Sequence, residues 1–427
     1  MPTDPLEQSI ELTRTESGAA RTARISTGWL LVALGALLAW LGPGTSGMAS
    51  FALSDAFAAV ELPTVSLPGA PTILVSAVLI LLVGLGFLTA RLQGTLRTAA
   101  AAVAGIAVVL GFVTWAAAGS PYSFPVSNQL SGTIALATPL IFGALAGVLC
   151  ENAGVVNVSI EGEFLVAAFT AATVGSITGS IPAALLAGMT AGLAMAALLA
   201  LFSIKYLVDQ VVLGVVLNLL ASGITGFLYD QLVQPNSGTL NRAPILDKLE
   251  IPLLGQIPFL GPILFNQTVL VYFAAVSVAL VWFLLYRTRW GLRIRSVGEH
   301  PEAADTVGIN VRLIRWQAVL TGGLFAGLGG AFFTVGSTGG FIKDITVGNG
   351  FIALAALIMG RWHPLRAALM ALFFGFITQL ASQLQTLETP MPSQFLLLLP
   401  YVATIVAVAG LIGRSRAPKA DGVPFTK

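Results

Sequence analysis

Long apolar runs with hardly a charge inside them constrain this chain more than any other feature. They fall at roughly 28–43, 71–90, 99–117, 132–150, 164–180, 181–203, 209–229, 268–286, 315–336, 350–360, 365–385 and 394–412. Most approach the ~20 residues that a helix needs to cross the hydrocarbon core of a bilayer. A helix satisfies its own backbone groups in lipid, so helices are the expected spanning elements. The runs are continuous rather than alternating, which argues against a β-barrel. Composition points the same way. Charged residues are 9% of the chain against 56% for the apolar set, and mean hydropathy is +0.89. A water-soluble surface needs roughly 25% charged residues. The expected class is therefore all-α, a polytopic membrane helix bundle with about twelve apolar segments, or 10–12 spans.

The positions of Lys and Arg set an orientation. With the N-terminus inside and successive runs alternating, only Arg242, Lys248 and Lys343 of the 21 basic residues fall outside. That asymmetry obeys the positive-inside rule and predicts two cytoplasmic termini in a bacterial inner membrane. Residues 1–26 read as a polar cytoplasmic tail and 413–427 as a second one. The first apolar run reads as a retained helix. A signal peptide is the other reading, opposed by the acids Glu7, Glu11 and Glu16 in its leading region. Membrane lipids are the expected surroundings, and no nucleic-acid partner is expected.

Several chemistries are disfavoured. One cysteine, Cys150, excludes an internal disulfide, and two histidines, His300 and His363, disfavour a histidine metal site. No phosphate-binding G-x-x-x-x-G-K-[ST] loop occurs, so no ATP hydrolysis by this chain is expected. A membrane enzyme would need a cluster of nucleophile, base or metal ligands that the sequence does not offer.

The most charged segment between runs is 287–314. Within it, Pro301 suits the first turn of a helix and Glu302 its positive end. Gly308 suits the position just past its C-terminus. A short surface helix from Pro301 to Val307 is predicted, and on physical grounds alone it reads equally well as a simple connector. A second notable segment, 231–267, carries five prolines and is expected to form a structured cap on the opposite side. Trp290 and Trp362, beside arginines, read as interface anchors.

Two apolar stretches are interrupted by polar patches. Gly143 to Gly162 breaks around Glu151, Asn152, Asn157, Ser159 and Glu161, and Gly322 to Gly350 breaks around Lys343, Asp344, Thr346 and Asn349. Opposite directions and similar small-residue openings suggest an inverted repeat with interrupted helices, and transporters place substrate where such helices meet. Asn157 and Glu161 read either as substrate-path groups or as a helix cap and a first-turn acid. Glu151 is expected at the headgroup level. Asn218, inside an apolar run, reads as an interhelical hydrogen bond or a pathway residue. Asn349 is the remaining candidate on the path.

Glu302-Ala303-Ala304, three residues and then Gly308 resembles the EAA-x-x-x-G loop of ABC importer permeases. The resemblance extends to Glu151-Asn152-Ala153-Gly154-Val155-Val156-Asn157 with Glu161-Gly162, and to Gly291 through Pro301. It also takes in Gly350 through Ile358 with Gly360-Arg361-Trp362-His363-Pro364. These motifs, over about 130–385, are similar to the simple-sugar and nucleoside branch, closest to nucleoside importer permeases. The resemblance implies a permease core at 121–412, with helices at 27–120 that shorter members lack. It implies that 287–314 is a coupling loop, with Glu299, His300, Pro301, Glu302, Ala303, Ala304, Asp305 and Gly308 meeting a separate ATP-binding cassette ATPase. It further implies that ATP is consumed by that ATPase and no cofactor is bound here, that an extracytoplasmic binding lipoprotein delivers nucleosides, and that a second related permease chain completes the pore. The competing function class is a proton-coupled secondary transporter with Glu161 as its protonatable group. Such a protein needs no docking helix.

Overall fold

The computed structural model describes residues 18–54, 60–387, 389, 392–406 and 416–426. Most of the expected N-terminal tail, and residues 413–415 and 427 of the C-terminal one, lie outside the described residues. Among the described residues ten helices are long and apolar enough to cross a membrane, and two shorter apolar helices accompany them. The chain divides into two compact units.

The first unit is a three-helix assembly of α1 (Gly18–Leu41), α2 (Gly69–Leu88) and α3 (Gly94–Ala117). Leu31, Leu38, Ile73, Ala77, Ile80, Phe87, Ala104 and Ala107 form its core. Arg24 donates from Nη1 to the Phe87 carbonyl at 2.6 Å and the Leu88 carbonyl at 3.2 Å. A cation thus occupies the negative end of α2, where the last carbonyls have no helical partner.

The second unit holds the remaining helices. They are α4 (Val126–Asn152), α5 (Ile160–Thr178), α6 (Ile181–Ala200), α7 (Gln210–Leu228), the single turn α8 (Ser237–Leu240) and α9 (Val269–Arg287). After them come α10 (Arg289–Glu299), α11 (Pro301–Thr306), α12 (Val311–Phe333), α13 (Asn349–Met359), α14 (Pro364–Thr386) and α15 (Ser393–Val406). Strands are short. β1 (Met48–Ala52) lies between β2 (Val65–Pro68) and β3 (Phe124–Pro125), while β4 (Lys248–Glu250) pairs antiparallel with β5 (Asn266–Thr268), Leu249 opposite Gln267. The proline-rich segment before α9 is folded, as its sequence leads one to expect. Ala243 N–H donates to the Gly339 carbonyl, and Asn241 exchanges hydrogen bonds with the Phe341 backbone.

α4 and α12 are the most buried of the long helices and pack along each other. α6 and α12 also cross with their backbones in close approach. A Cβ added at Gly192 would lie 2.6 Å from the Cα and from the N of Gly327. Small residues at that spacing let two backbones touch in lipid, where packing rather than the hydrophobic effect holds helices together. Gly192→Leu is therefore expected to separate α6 from α12 at a cost of about 3 kcal/mol. Loss of monodisperse protein in detergent and a fall in the melting midpoint would show it, and an unchanged midpoint would refute this account of the crossing.

Candidate functional site

The first interruption begins where α4 ends at Asn152. Gly154 turns the chain with φ +82°, and α5 starts at Ile160. Between them lies a fully buried polar knot. Asn157 Nδ2 donates to Glu163 Oε1 at 3.1 Å, and the Ser159 hydroxyl donates to Asn157 Oδ1 at 2.8 Å. Asn157, Ser159 and Glu163 are all 0% exposed, so each group's partner must come from the protein. Asn218 on α7 clamps the same region. Its Nδ2 donates to the Val158 carbonyl at 3.0 Å, and its Oδ1 accepts the Gly162 N–H at 2.8 Å. The amide thereby satisfies one free donor in the first turn of α5.

The second interruption follows α12. A wider turn at Thr334–Thr338 ends at Gly339, φ +72°, and α13 starts after Gly348, φ +77°. Glu161 joins the two breaks. Its Oε1 accepts from Thr346 Oγ1 at 2.5 Å and from Gly348 N–H at 2.9 Å, and its Oε2 accepts from Gly350 N–H at 2.6 Å. A carboxylate from the first turn of α5 thus caps the N-terminus of α13, where free N–H groups and the helix dipole both favour an anion. Gly350 permits the approach, because a Cβ there would lie 2.5 Å from Glu161 Cα. Asn349 donates from Nδ2 to the Thr346 carbonyl at 2.7 Å and closes the turn before α13. Asn157, Glu161 and Asn218 are therefore gathered around the start of α5, and Glu161 joins them to Asn349 at the start of α13, each bonded to protein groups.

The charged segment 287–314 contains two helices. α10 was not singled out in the sequence; it is amphipathic and begins where the Thr288 hydroxyl accepts the Gly291 N–H at 3.1 Å. α11 runs from Pro301, with Glu302 in its first turn. It ends in a Schellman motif. Gly308, φ +83°, donates to the Asp305 carbonyl and Ile309 to the Ala304 carbonyl. Ala304 is buried and anchors the helix, while Glu299, His300, Glu302, Ala303 and Gly308 are exposed and Pro301 and Asp305 partly so. Val307, just past its end, is an apolar side chain 75% exposed.

Several residues that the sequence did not flag support this loop. Arg315, only 1% exposed, donates from Nε to the Ala153 carbonyl at 3.2 Å and from Nη1 to the Val423 carbonyl at 3.0 Å. It ties the start of α12 to the first break and to the C-terminal segment. That segment also donates from Ala420 N–H to the Gly298 carbonyl at the end of α10, at 2.8 Å. Glu151 and Trp362 depart from expectation. Both are buried, at 3% and 8% exposure, and the Trp362 indole donates to Glu151. Arg361 and Trp362 have φ of +54° and +56°, and this left-handed turn directs the indole inward rather than to an interface.

Asp421 lies in the C-terminal segment. Burial raises its carboxyl from an ordinary 3.8 to about 7, against the opposing Arg315 charge and a backbone hydrogen bond from Gly422. The docked segment therefore holds a proton that a released one gives up, and docking weakens as pH rises from about 4 through 7. Amide exchange at Ala420–Val423, corrected for intrinsic rates, is expected to be several-fold faster at pH 8 than at pH 6. Asp421→Asn should abolish that difference, and a difference that survives the substitution would place its origin elsewhere.

Among the described residues no group of three or more His, Cys, Asp or Glu side chains is arranged to hold a metal ion.

Comparison with known proteins gives a consistent result. The family described as "Branched-chain amino acid transport system / permease component" matches residues 129–409. The guanosine ABC transporter permease protein NupQ of Bacillus subtilis is 43% identical over 311 residues, covering 71% of this chain and 97% of the relative. The nucleoside ABC transporter permease protein NupC of Lactococcus lactis is 41% identical, covering 68% and 94%. A putative glucose ABC transporter permease protein of Haloferax volcanii, TsgC13, is 33% identical, covering 68% and 93%. No solved structure gives a significant match. With ten membrane-length helices among the described residues and a family match over residues 129–409, the chain belongs to the family of membrane-spanning permease components of ABC transporters typified by branched-chain amino acid transport.

Proposed function

We propose that this permease carries nucleosides into a bacterial cell. The observation that carries the reading is identity above 40% across nearly the full length of two relatives named for guanosine and nucleoside transport. The chain lies in the cytoplasmic membrane with both termini and the 287–314 loop inside, an orientation supported by the basic residues crowded there. A separate ATP-binding cassette subunit docks on Glu299–Gly308 and consumes the ATP, and this chain binds no cofactor. An extracytoplasmic binding lipoprotein delivers the solute. A second related permease completes the pore, a reading supported by the existence of two Bacillus subtilis guanosine permease relatives, NupQ and NupP.

The solute path runs beside the meeting of α5 and α13, with Asn157, Glu161, Asn218 and Asn349 holding its wall. Movement of α11 under the ATPase reaches that wall through α10 and α12, which both pack against α11, and from α12 to α5. Two-state motion of packed helices, rather than chemistry on the solute, then exposes the path to each side alternately.

Uptake of labelled nucleosides and of labelled glucose, with and without the gene, tests the assignment. Nucleoside uptake is expected to disappear on deletion and return on complementation. Gene-dependent uptake of glucose alone would replace the nucleoside reading with the sugar reading that TsgC13 represents.

A further inference from the structure

Four side chains at one end of the second unit form a cationic cluster that the transport reading leaves unused. Tyr286, in the last turn of α9, stacks on His363, the residue before α14, with ring centroids 5.1 Å apart. Arg295 of α10 lies over the same tyrosine ring at 4.9 Å. Arg366, in the first turn of α14, is near enough for its charge to act on both rings. α9 packs against both α10 and α14, so three helices bring these groups together.

The cluster lacks an anion. Among the described residues neither Arg295 nor Arg366 forms an ion pair or hydrogen bond with a protein group. Arg295 Nε and His363 Nδ1 are closed off from solvent and have no partner. The nearby acid Glu151 is engaged by the Trp362 indole. Burial, with the Arg366 charge adding to it, holds the His363 imidazole below its ordinary value, so the ring is a neutral hydrogen-bonding group at pH 7.

The cluster sits where a headgroup would be. α9 has 19 residues, enough at ~1.5 Å per residue to cross the hydrocarbon core, so its end at Arg287 lies at the polar boundary. Along the same helices the surface turns apolar within one turn. Phe283 on α9 is 51% exposed and Leu369 on α14 is 59% exposed. An anion with two hydrocarbon chains matches both halves of this surface, and a free anion matches only one.

We propose that Arg295, Arg366, Tyr286 and His363 form a binding site for the phosphate of an anionic phospholipid, whose acyl chains run along Phe283 and Leu369. Basic pockets between membrane helices bind the headgroups of such lipids, each arginine adding to the attraction. The site would draw one class of lipid to the boundary of the 287–314 loop.

The test uses the full chain, purified in mild detergent and reconstituted in bilayer discs of phosphatidylcholine alone or mixed with phosphatidylglycerol. Native mass spectrometry counts the lipid retained. Phosphatidylglycerol is expected to be retained in preference to phosphatidylcholine, and Arg295→Gln with Arg366→Gln should reduce that retention about tenfold. Arg295→Lys with Arg366→Lys, which keeps the charge, should retain most of it. Arg242→Gln with Lys248→Gln removes two exposed charges elsewhere and should leave it intact. Equal loss in the two glutamine pairs would reduce the effect to net charge and overturn the site, as would no loss in either. Displacement by inorganic phosphate would assign the cluster to a free anion and overturn the lipid reading.

Discussion

Glu161→Ala is expected to loosen α13 and to lower transport at least tenfold with the protein still inserted in the membrane. The carboxylate accepts hydrogen bonds from Thr346 and Gly348 in the interruption before α13 and from Gly350 in its first turn. Hydrogen bonds to a charged group contribute about 1.5–3 kcal/mol each, and a buried donor left without a partner costs about 1–3 kcal/mol. The three are not additive, so the combined effect is placed at about 4 kcal/mol. Helix α13 has only 11 residues, too few to hold its place by length alone. Amide exchange through Asn349–Met359 should accelerate by orders of magnitude in the variant. Glu161→Gln keeps one acceptor oxygen and turns an N–H group toward a donor, so a loss of about half that size is expected. A wall residue and a solute ligand separate here. Loss of wall rigidity lowers the maximal rate and speeds amide exchange, whereas loss of a solute contact raises KM and leaves exchange alone. Unchanged exchange in the alanine variant would sink the clamp.

The sequence carries the spans well and the site only in part, for physical reasons that individual residues show. α9 is legible as a run at 268–286 because lipid demands an apolar surface along its whole length. α11 is legible because capping is local: Pro301, Glu302 and Gly308 each act within a turn of their own position. α10 is hidden by its composition. Gly291 and Gly298 sit inside it and argue for a loop, yet each lies where a neighbouring backbone leaves no room for a Cβ, Leu285 over one and Asn152 over the other. Such packing is a tertiary fact with no local trace. Glu161 and Glu163 show the same limit. Both follow the polar break, and the sequence points to the first as the interior acid. Helix phase makes the second one fully buried, four residues after Ser159 and bonded to it, while Glu161 reaches across to α13. Arg315 was detectable in principle, since it shares a face with the buried Val311, Ala318 and Val319. Its partners, Ala153 and Val423, lie more than a hundred residues away in either direction and have no signal in sequence.

Glu302→Lys combined with Ala303→Asp is expected to remove the ATPase subunit from the complex and with it all measurable transport. Both positions are exposed on α11, while Ala304 on its other face is buried against the unit. Reversing the first-turn charge forfeits only about 0.3–1 kcal/mol of dipole interaction, so the helix itself should survive. On the proposed docking through α11, the cost falls on the interface. A charge desolvated without a partner at the centre of a docking surface costs about 2–5 kcal/mol, and two such changes in a helix of six residues leave little of the face untouched. Affinity for the ATPase should fall at least ~100-fold, which corresponds to about 3 kcal/mol. Copurification on a tagged permease measures it, with membrane insertion of the variant as the check on folding. The same pair of substitutions leaves the Glu161 clamp in place, so exchange at Asn349–Met359 should match the wild-type chain. An ATPase subunit retained at wild-type level would move the docking site away from Glu299–Gly308. Lost transport with the subunit still bound would mean that α11 transmits force without supplying the grip.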